Sequence, residues 1–205
     1  MTLTFNSDVF ANDPAVQFAT GGRTVTFTLP ANATRAIFAN NANQVRIQTG
    51  SIARTITVTP AVNTTEGNIN LTPTAPPTAN LTVAPAAPRI LSVLISARTA
   101  NSVTLLVSGY ATSRSVTQMD LTITPTSGET VSTTRLPIQV DSAFIEYYGG
   151  AASAAFGSLF TAAVPLTLQG DLVNVTQLLD TIQSISVTLT NRTGVSNAVS
   201  VNVKQ

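Results

Sequence analysis

Apolar and polar residues alternate with period two through most of this chain. In residues 24–29, Val25, Phe27 and Leu29 alternate with Thr24, Thr26 and Thr28. In residues 44–49, Val45 and Ile47 alternate with Gln44, Arg46 and Gln48, and in residues 54–59, Ile56 and Val58 alternate with three threonines. Successive side chains of a strand point to opposite faces, so this pattern predicts antiparallel sheets with one face buried. Threonine suits the outer face, because its β-branched side chain fits a pleat and its hydroxyl meets water. Turn residues punctuate the runs: Gly21-Gly22, Pro30, Asn40-Asn41, Gly50 and Glu66-Gly67-Asn68. The first stretch is thus expected to hold strands near 3–6, 16–19, 24–29, 35–38, 44–49, 54–62, 69–72 and 81–84. Short, evenly spaced strands imply a sandwich or barrel.

Prolines then cluster at positions 73, 76, 77, 85 and 88. Proline lacks the amide donor of a central strand, so the cluster predicts a domain boundary. The expected division is a first domain over 1–84, a semi-rigid Pro-Ala-Ala-Pro linker over 85–88 and a second domain over 89–205. The second stretch predicts longer strands at 90–97, 103–110, 119–124, 131–140, 159–169, 182–190 and 195–203. The Asn191-Arg192-Thr193-Gly194 turn joins the last two into the clearest hairpin. Residues 141–157 break the alternation and read as a loop of small residues. Residues 171–180 carry Leu172, Val175, Leu178 and Leu179 at helical spacing, enough for one or two turns.

The run Ser184-Ile-Ser-Val-Thr-Leu-Thr-Asn191, its turn and the strand after it resemble the terminal hairpin of bacterial immunoglobulin-like β-sandwich modules. The first half, with GGRTVTFTLPANATRAIF and QVRIQTGSIARTITVTP, is similar to tandem modules of the same kind in large secreted or surface proteins. The resemblance implies an all-β protein of two tandem antiparallel immunoglobulin-like sandwiches. It further implies a spacer, stalk or adhesion role beside neighbouring domains of a larger extracellular or cell-surface chain.

Composition narrows the chemistry. Only 9% of the 205 residues are charged, and there is no His, Cys or Trp. The missing His removes imidazole acid–base chemistry and the serine triad. The missing His and Cys remove the usual zinc, copper and iron ligand sets. A net charge of +1, spread evenly along the chain, offers no basic stripe for nucleic acid. Residues 147–170 carry no charge and are about long enough to span a bilayer, but their glycines, Pro165 and small residues argue for a loop and a strand. No membrane insertion and no cofactor are expected.

The remaining candidates are few. Tyr147 and Tyr148, beside Glu146 in the 141–158 loop, are the expected binding residues for a glycan or a surface protein, since aromatic rings stack on sugars and anchor interfaces. Asp141, Glu146 and Asp171 flank the same loop and would be the carboxylates of a hydrolase, a distant reading. Calcium is the one metal left, because it takes oxygen ligands; Asp8 and Asp13 are its weak candidates. Arg23, Arg35, Arg46 and Arg54 read as solubilising positions on outer faces, with a patch for acidic glycans as the alternative, and the single Lys204, near the C-terminus, argues against a Ser–Lys dyad or Schiff-base lysine.

Overall fold

The computed structural model describes residues 2–170, apart from 7–12, and residues 177–204. Antiparallel β-sheets dominate it. The chain forms two compact units, Met1–Ala84 and Pro85–Gln205.

In the first unit, β1 (Thr2–Asn6), β4 (Arg54–Thr59) and β5 (Ala79–Val83) form one antiparallel sheet in the order β1-β4-β5. A second, two-stranded sheet pairs β2 (Val16–Phe18) with β3 (Ile47–Thr49). Alternation works as expected in β4: Arg54, Ile56 and Val58 are buried, and the threonines between them are half-exposed. Val16, Phe18, Ile56 and Val58 make a small core, with Val25, Val45 and Ile47 packed against it.

Three of the expected strands do not form ladders here. Residues 24–29 and 35–38 meet through one bridge, Thr28 to Ile37, each amide donating to the other carbonyl at 2.8 Å. Residues 69–72 contribute only the bridge between Asn63 and Asn70. Period-two patterning sets which face is apolar, but a strand also needs a partner edge. Between 28 and 37 the chain turns through Pro30, which has no amide donor, and Asn32, which is left-handed at φ 61°. Asn40 and Asn41, at φ 59° and 58°, turn it again.

The second unit contains β6 (Arg89–Arg98), β7 (Ser102–Tyr110), β8 (Gln118–Pro125), β9 (Arg135–Gln139), α1 (Asp141–Gly149), β10 (Leu159–Thr167), β11 (Ile182–Asn191), β12 (Gly194–Val195) and β13 (Val199–Asn202). One sheet has the order β10-β7-β6; the other has β12-β11-β8-β9, with β13 also paired to β11. Both sheets feed one apolar core. Val103, Leu105 and Val107 come from β7, Met119, Leu121 and Ile123 from β8, and Ile185, Val187 and Leu189 from β11. The intervening residues of β7 and β11 are half-exposed, as period-two burial requires. Gly109 sits where Phe160 packs down on the sheet: a Cβ there would lie 2.5 Å from the Arg89 carbonyl and 2.8 Å from the Phe160 ring.

The Asn191 turn is a tied hairpin. The Asn191 Oδ1 accepts from the amides of Thr193 (2.8 Å) and Gly194 (3.1 Å). Its Nδ2 donates to the Ala86 carbonyl (3.0 Å) and Ser113 Oγ (3.1 Å). The Ala86 amide in turn donates to Thr112 Oγ1 at 2.8 Å. Residue 86 of the Pro-Ala-Ala-Pro stretch is thereby fastened to the second unit.

Residues 141–158, expected as a loop, instead contain α1 and a 3-10 segment, Ala151–Phe156. The physical reason is the spacing of Phe144 and Tyr148, four residues apart and both buried on one helix face. Of the helical stretch expected at 171–180, residues 171–176 lie outside the described residues, and Leu178–Thr181 forms a 3-10 turn. Among the described residues no helix is long and apolar enough to cross a membrane.

Candidate functional site

The helix α1 determines where the expected binding residues sit. In an extended chain Tyr147 and Tyr148 would face opposite ways; on a helix their rings meet edge to face, with centroids 5.0 Å apart. Tyr148 is buried and its hydroxyl donates to the Ser158 carbonyl at 2.6 Å. Phe144, itself edge-on to Phe160 at 4.9 Å, seats the helix on the core. Tyr147 is half-exposed and its hydroxyl donates to the Leu159 carbonyl at 3.0 Å. Glu146 is exposed, and its backbone carbonyl accepts from Gly150.

Arg114 anchors this arrangement from the β7–β8 connection. Its backbone is left-handed at φ 51°, a conformation that costs a non-glycine residue roughly 1–2 kcal/mol. The conformation delivers the buried guanidinium to the Tyr148 carbonyl and to Ser153 Oγ, the latter at 2.7 Å. The same guanidinium lies 4.9 Å from the Tyr148 ring centroid. Burial drives the Tyr148 phenol well above its ordinary pKa, the neighbouring Tyr147 adds to the rise, and Arg114 opposes it. Tyr148 is thus a structural donor rather than an acid–base group.

Tyr147 borders an uncharged groove of about 380 Å³. Leu91, Ser108, Gly109, Phe156, Leu159, Phe160 and Thr161 complete it. Phe156 is 56% exposed, Leu91 57% and Leu159 44%. Ser108 Oγ and Thr161 Oγ1 are hydrogen-bonded to one another at 3.1 Å within it. The groove therefore offers exposed apolar and aromatic surface beside a pair of hydroxyls, with its rim held by the Tyr147, Tyr148 and Arg114 bonds. Sequence reasoning found the two tyrosines but missed Arg114, Phe156 and Leu91. The signal for the helix was present in the Phe144–Tyr148 spacing; no local signal marks Arg114.

The acidic candidates are dispersed. Asp13 is fully buried in the first unit, where its Oδ2 accepts from Arg54 Nη2 at 2.9 Å and its Oδ1 from the Ala15 amide at 2.9 Å. Arg23 donates to the Asp13 carbonyl at 2.9 Å. Gly50, at φ 68°, makes room for the carboxylate: a Cβ there would come within 2.7 Å of Oδ2. A carboxylate so engaged reads as an ion-pair partner. Asp8, its fellow calcium candidate, lies outside the described residues, as does Asp171. Asp141 and Glu146 are exposed on α1. Among the described residues no three acidic side chains converge as a metal site.

No protein-family model, curated protein or solved structure matches this chain.

Proposed function

We propose that the chain is a non-enzymatic structural module whose second unit is an immunoglobulin-like sandwich that spaces its neighbours in a larger extracellular or cell-surface bacterial protein. One observation carries this reading: the chain enters and leaves the second unit at opposite ends. Ala86 is bonded to Asn191, at one end of β11, and the Val203 amide donates to the Gln183 carbonyl at the other end. Those two points are eight residues apart on one strand, roughly 26 Å at the usual rise of a strand. A unit with that geometry separates whatever precedes it from whatever follows it.

The strand order supports the sandwich type. The chain starts in β6 and β7 of one sheet, crosses to β8 and β9 of the other, returns to β10 and ends in β11 and β13. Such crossings between two sheets are those of a Greek-key sandwich. The core tryptophan and bridging disulfide of antibody domains are replaced by aliphatic packing around Leu105, Leu121 and Val187. The first unit stands in this reading as a second, tandem module, and composition supports export, since hydroxyls rather than charges cover the strands.

The test uses the absence of cysteine. Spin labels on Ala87→Cys and Lys204→Cys of the full chain should give one narrow distance distribution, centred near the strand length of roughly 26 Å. A broad distribution, or a short distance, would remove the spacer reading.

Adhesion is the second reading, with a neutral glycan as ligand, and the uncharged groove beside Tyr147 favours it. A sugar ring has apolar C–H faces and hydroxyl edges, matching Phe156 and the Ser108–Thr161 pair. A glycan array should then show hits that Phe156→Ala abolishes; an array without hits would reject it.

A further inference from the structure

The first and last strands of the second unit run side by side in the same direction. Ile90, near the start of β6, faces Asn197, which precedes β13: the Ile90 amide donates to Asn197 Oδ1 at 3.1 Å, and Asn197 Nδ2 donates to the Ile90 carbonyl at 3.1 Å. At the other end, Arg98 Nη1 donates to the Val203 carbonyl, and Arg98 Nη2 pairs with Asp180 at 3.2 Å. Residue 90 thus lies beside 197, and residue 98 beside 203.

The two stretches match in length although their residue numbers differ. From 90 to 98 is eight steps, but β6 has two irregularities, between Ile90 and Ser92 and between Ile95 and Ala97. Each bulge takes up one extra residue. Against the regular β7, β6 advances only from Gly109 to Val103, six steps, which equals the six from Asn197 to Val203. The bulges therefore keep both side-chain fastenings in register at the two ends of the strands.

β6 and β13 belong to different sheets, so side chains do here what a backbone ladder does between neighbouring strands. We propose that the second unit bears tension along its length, and that Asn197 and Arg98 are the side chains that carry the load between its first and last strands. Pulling the ends apart draws two parallel strands past each other. The Asn197 pair, the Arg98 bond and the Val203–Gln183 bond are then strained together, and all must break in one event. Pulling at one end instead opens bonds one after another, starting from the Asn191–Ala86 bond, so that no step strains them together. The proposal rests on the spacer reading above and adds a mechanical property to it.

Single-molecule pulling on the full chain tests it. Handles at Ala87→Cys and Lys204→Cys load the unit end to end and leave the first unit outside the path. Handles at Ala87→Cys and Thr193→Cys load the entry end alone, because Ala87 lies close to Gly194 of the tied turn. The expected result is a several-fold higher rupture force end to end than at the entry end. Asn197→Ala should remove most of that difference while leaving the entry-end force unchanged. Equal forces in the two directions of the otherwise unaltered chain would overturn the proposal, and so would an Asn197→Ala variant that weakens both directions alike. The first comparison needs no change to the fastening residues, so it stands even where Asn197→Ala folds poorly. The label-distance experiment judges the spacer reading separately: a correct distance with no directional difference would refute load bearing alone.

Discussion

The two units carry the same kind of sequence and use it differently. In the second, alternation becomes long ladders: β7, and β11 from Ile185 onward, are buried at every other residue, and two sheets close on a core of nineteen buried side chains among the described residues. In the first, similar threonine-rich alternation at residues 24–29 yields isolated bridges rather than a ladder, and among the described residues four apolar side chains form the buried cluster. There the buried Arg54–Asp13 pair does much of the joining, linking the start of β4 to the residues before β2 across 41 positions of sequence. Period-two patterning thus specifies a face, whereas the stability of a sheet comes from what that face meets. An aliphatic core tolerates small changes, while an ion pair with no solvent contact fails when either partner is lost.

That contrast can be broken most directly at Asp13. Asp13→Ala leaves the Arg54 guanidinium buried without its carboxylate and is expected to destabilise the first unit by about 3–5 kcal/mol. Urea titration followed by NMR should show the resonances of Phe18 and Ile56 lost early, with those of Leu105 and Leu121 unmoved. A uniform shift of both sets would contradict the separateness of the units.

Asn191→Ala is the corresponding test in the second unit. It deletes four hydrogen bonds around the turn and Ala86, of which the two backbone amides of the turn find water readily. An expected loss of roughly 2–3 kcal/mol follows from bonds worth about 1 kcal/mol each. The midpoint of the second unit should fall while its denaturant slope stays constant.

The smallest effect is at Tyr148. Its folded-state pKa is raised, so the phenol stays protonated when the unfolded chain's phenol begins to ionise near pH 10. The unfolded state then binds fewer protons than the folded one, and stability falls as pH rises above about 10. Tyr148→Phe should cost about 1 kcal/mol at neutral pH, from the lost bond to Ser158, and flatten that alkaline decline. Parallel pH–stability curves for the two proteins would contradict the buried-donor role.

Much of the second unit was legible because its strands are local signals: Ile185, Val187 and Leu189 announce their face, and Asn191 to Gly194 announces the turn. The helix α1 escaped because the alternation fails around it and small residues follow it, although Phe144 and Tyr148 carry its spacing. The Arg54–Asp13 pair and the Arg114 contact to Tyr148 join residues 41 and 34 positions apart, and no periodicity encodes a partner at that distance. The groove was half legible. Tyr147 stood out as an aromatic in an irregular stretch, but Leu91 and Phe156 reach it only because β6 bulges and the chain doubles back after α1.

Native-state hydrogen exchange of the whole chain separates a packed sheet from an isolated bridge, since it reads the opening free energy of each strand within one molecule. The amides of Leu105, Leu121 and Val187 are expected to exchange together and last, through unfolding of the second unit as a whole. Amides of residues 24–38 are expected to exchange early, with Thr28 and Ile37 only slightly slower than their neighbours. Protection of residues 24–29 as strong as that of β11, or early exchange from β7 and β11, would contradict this order.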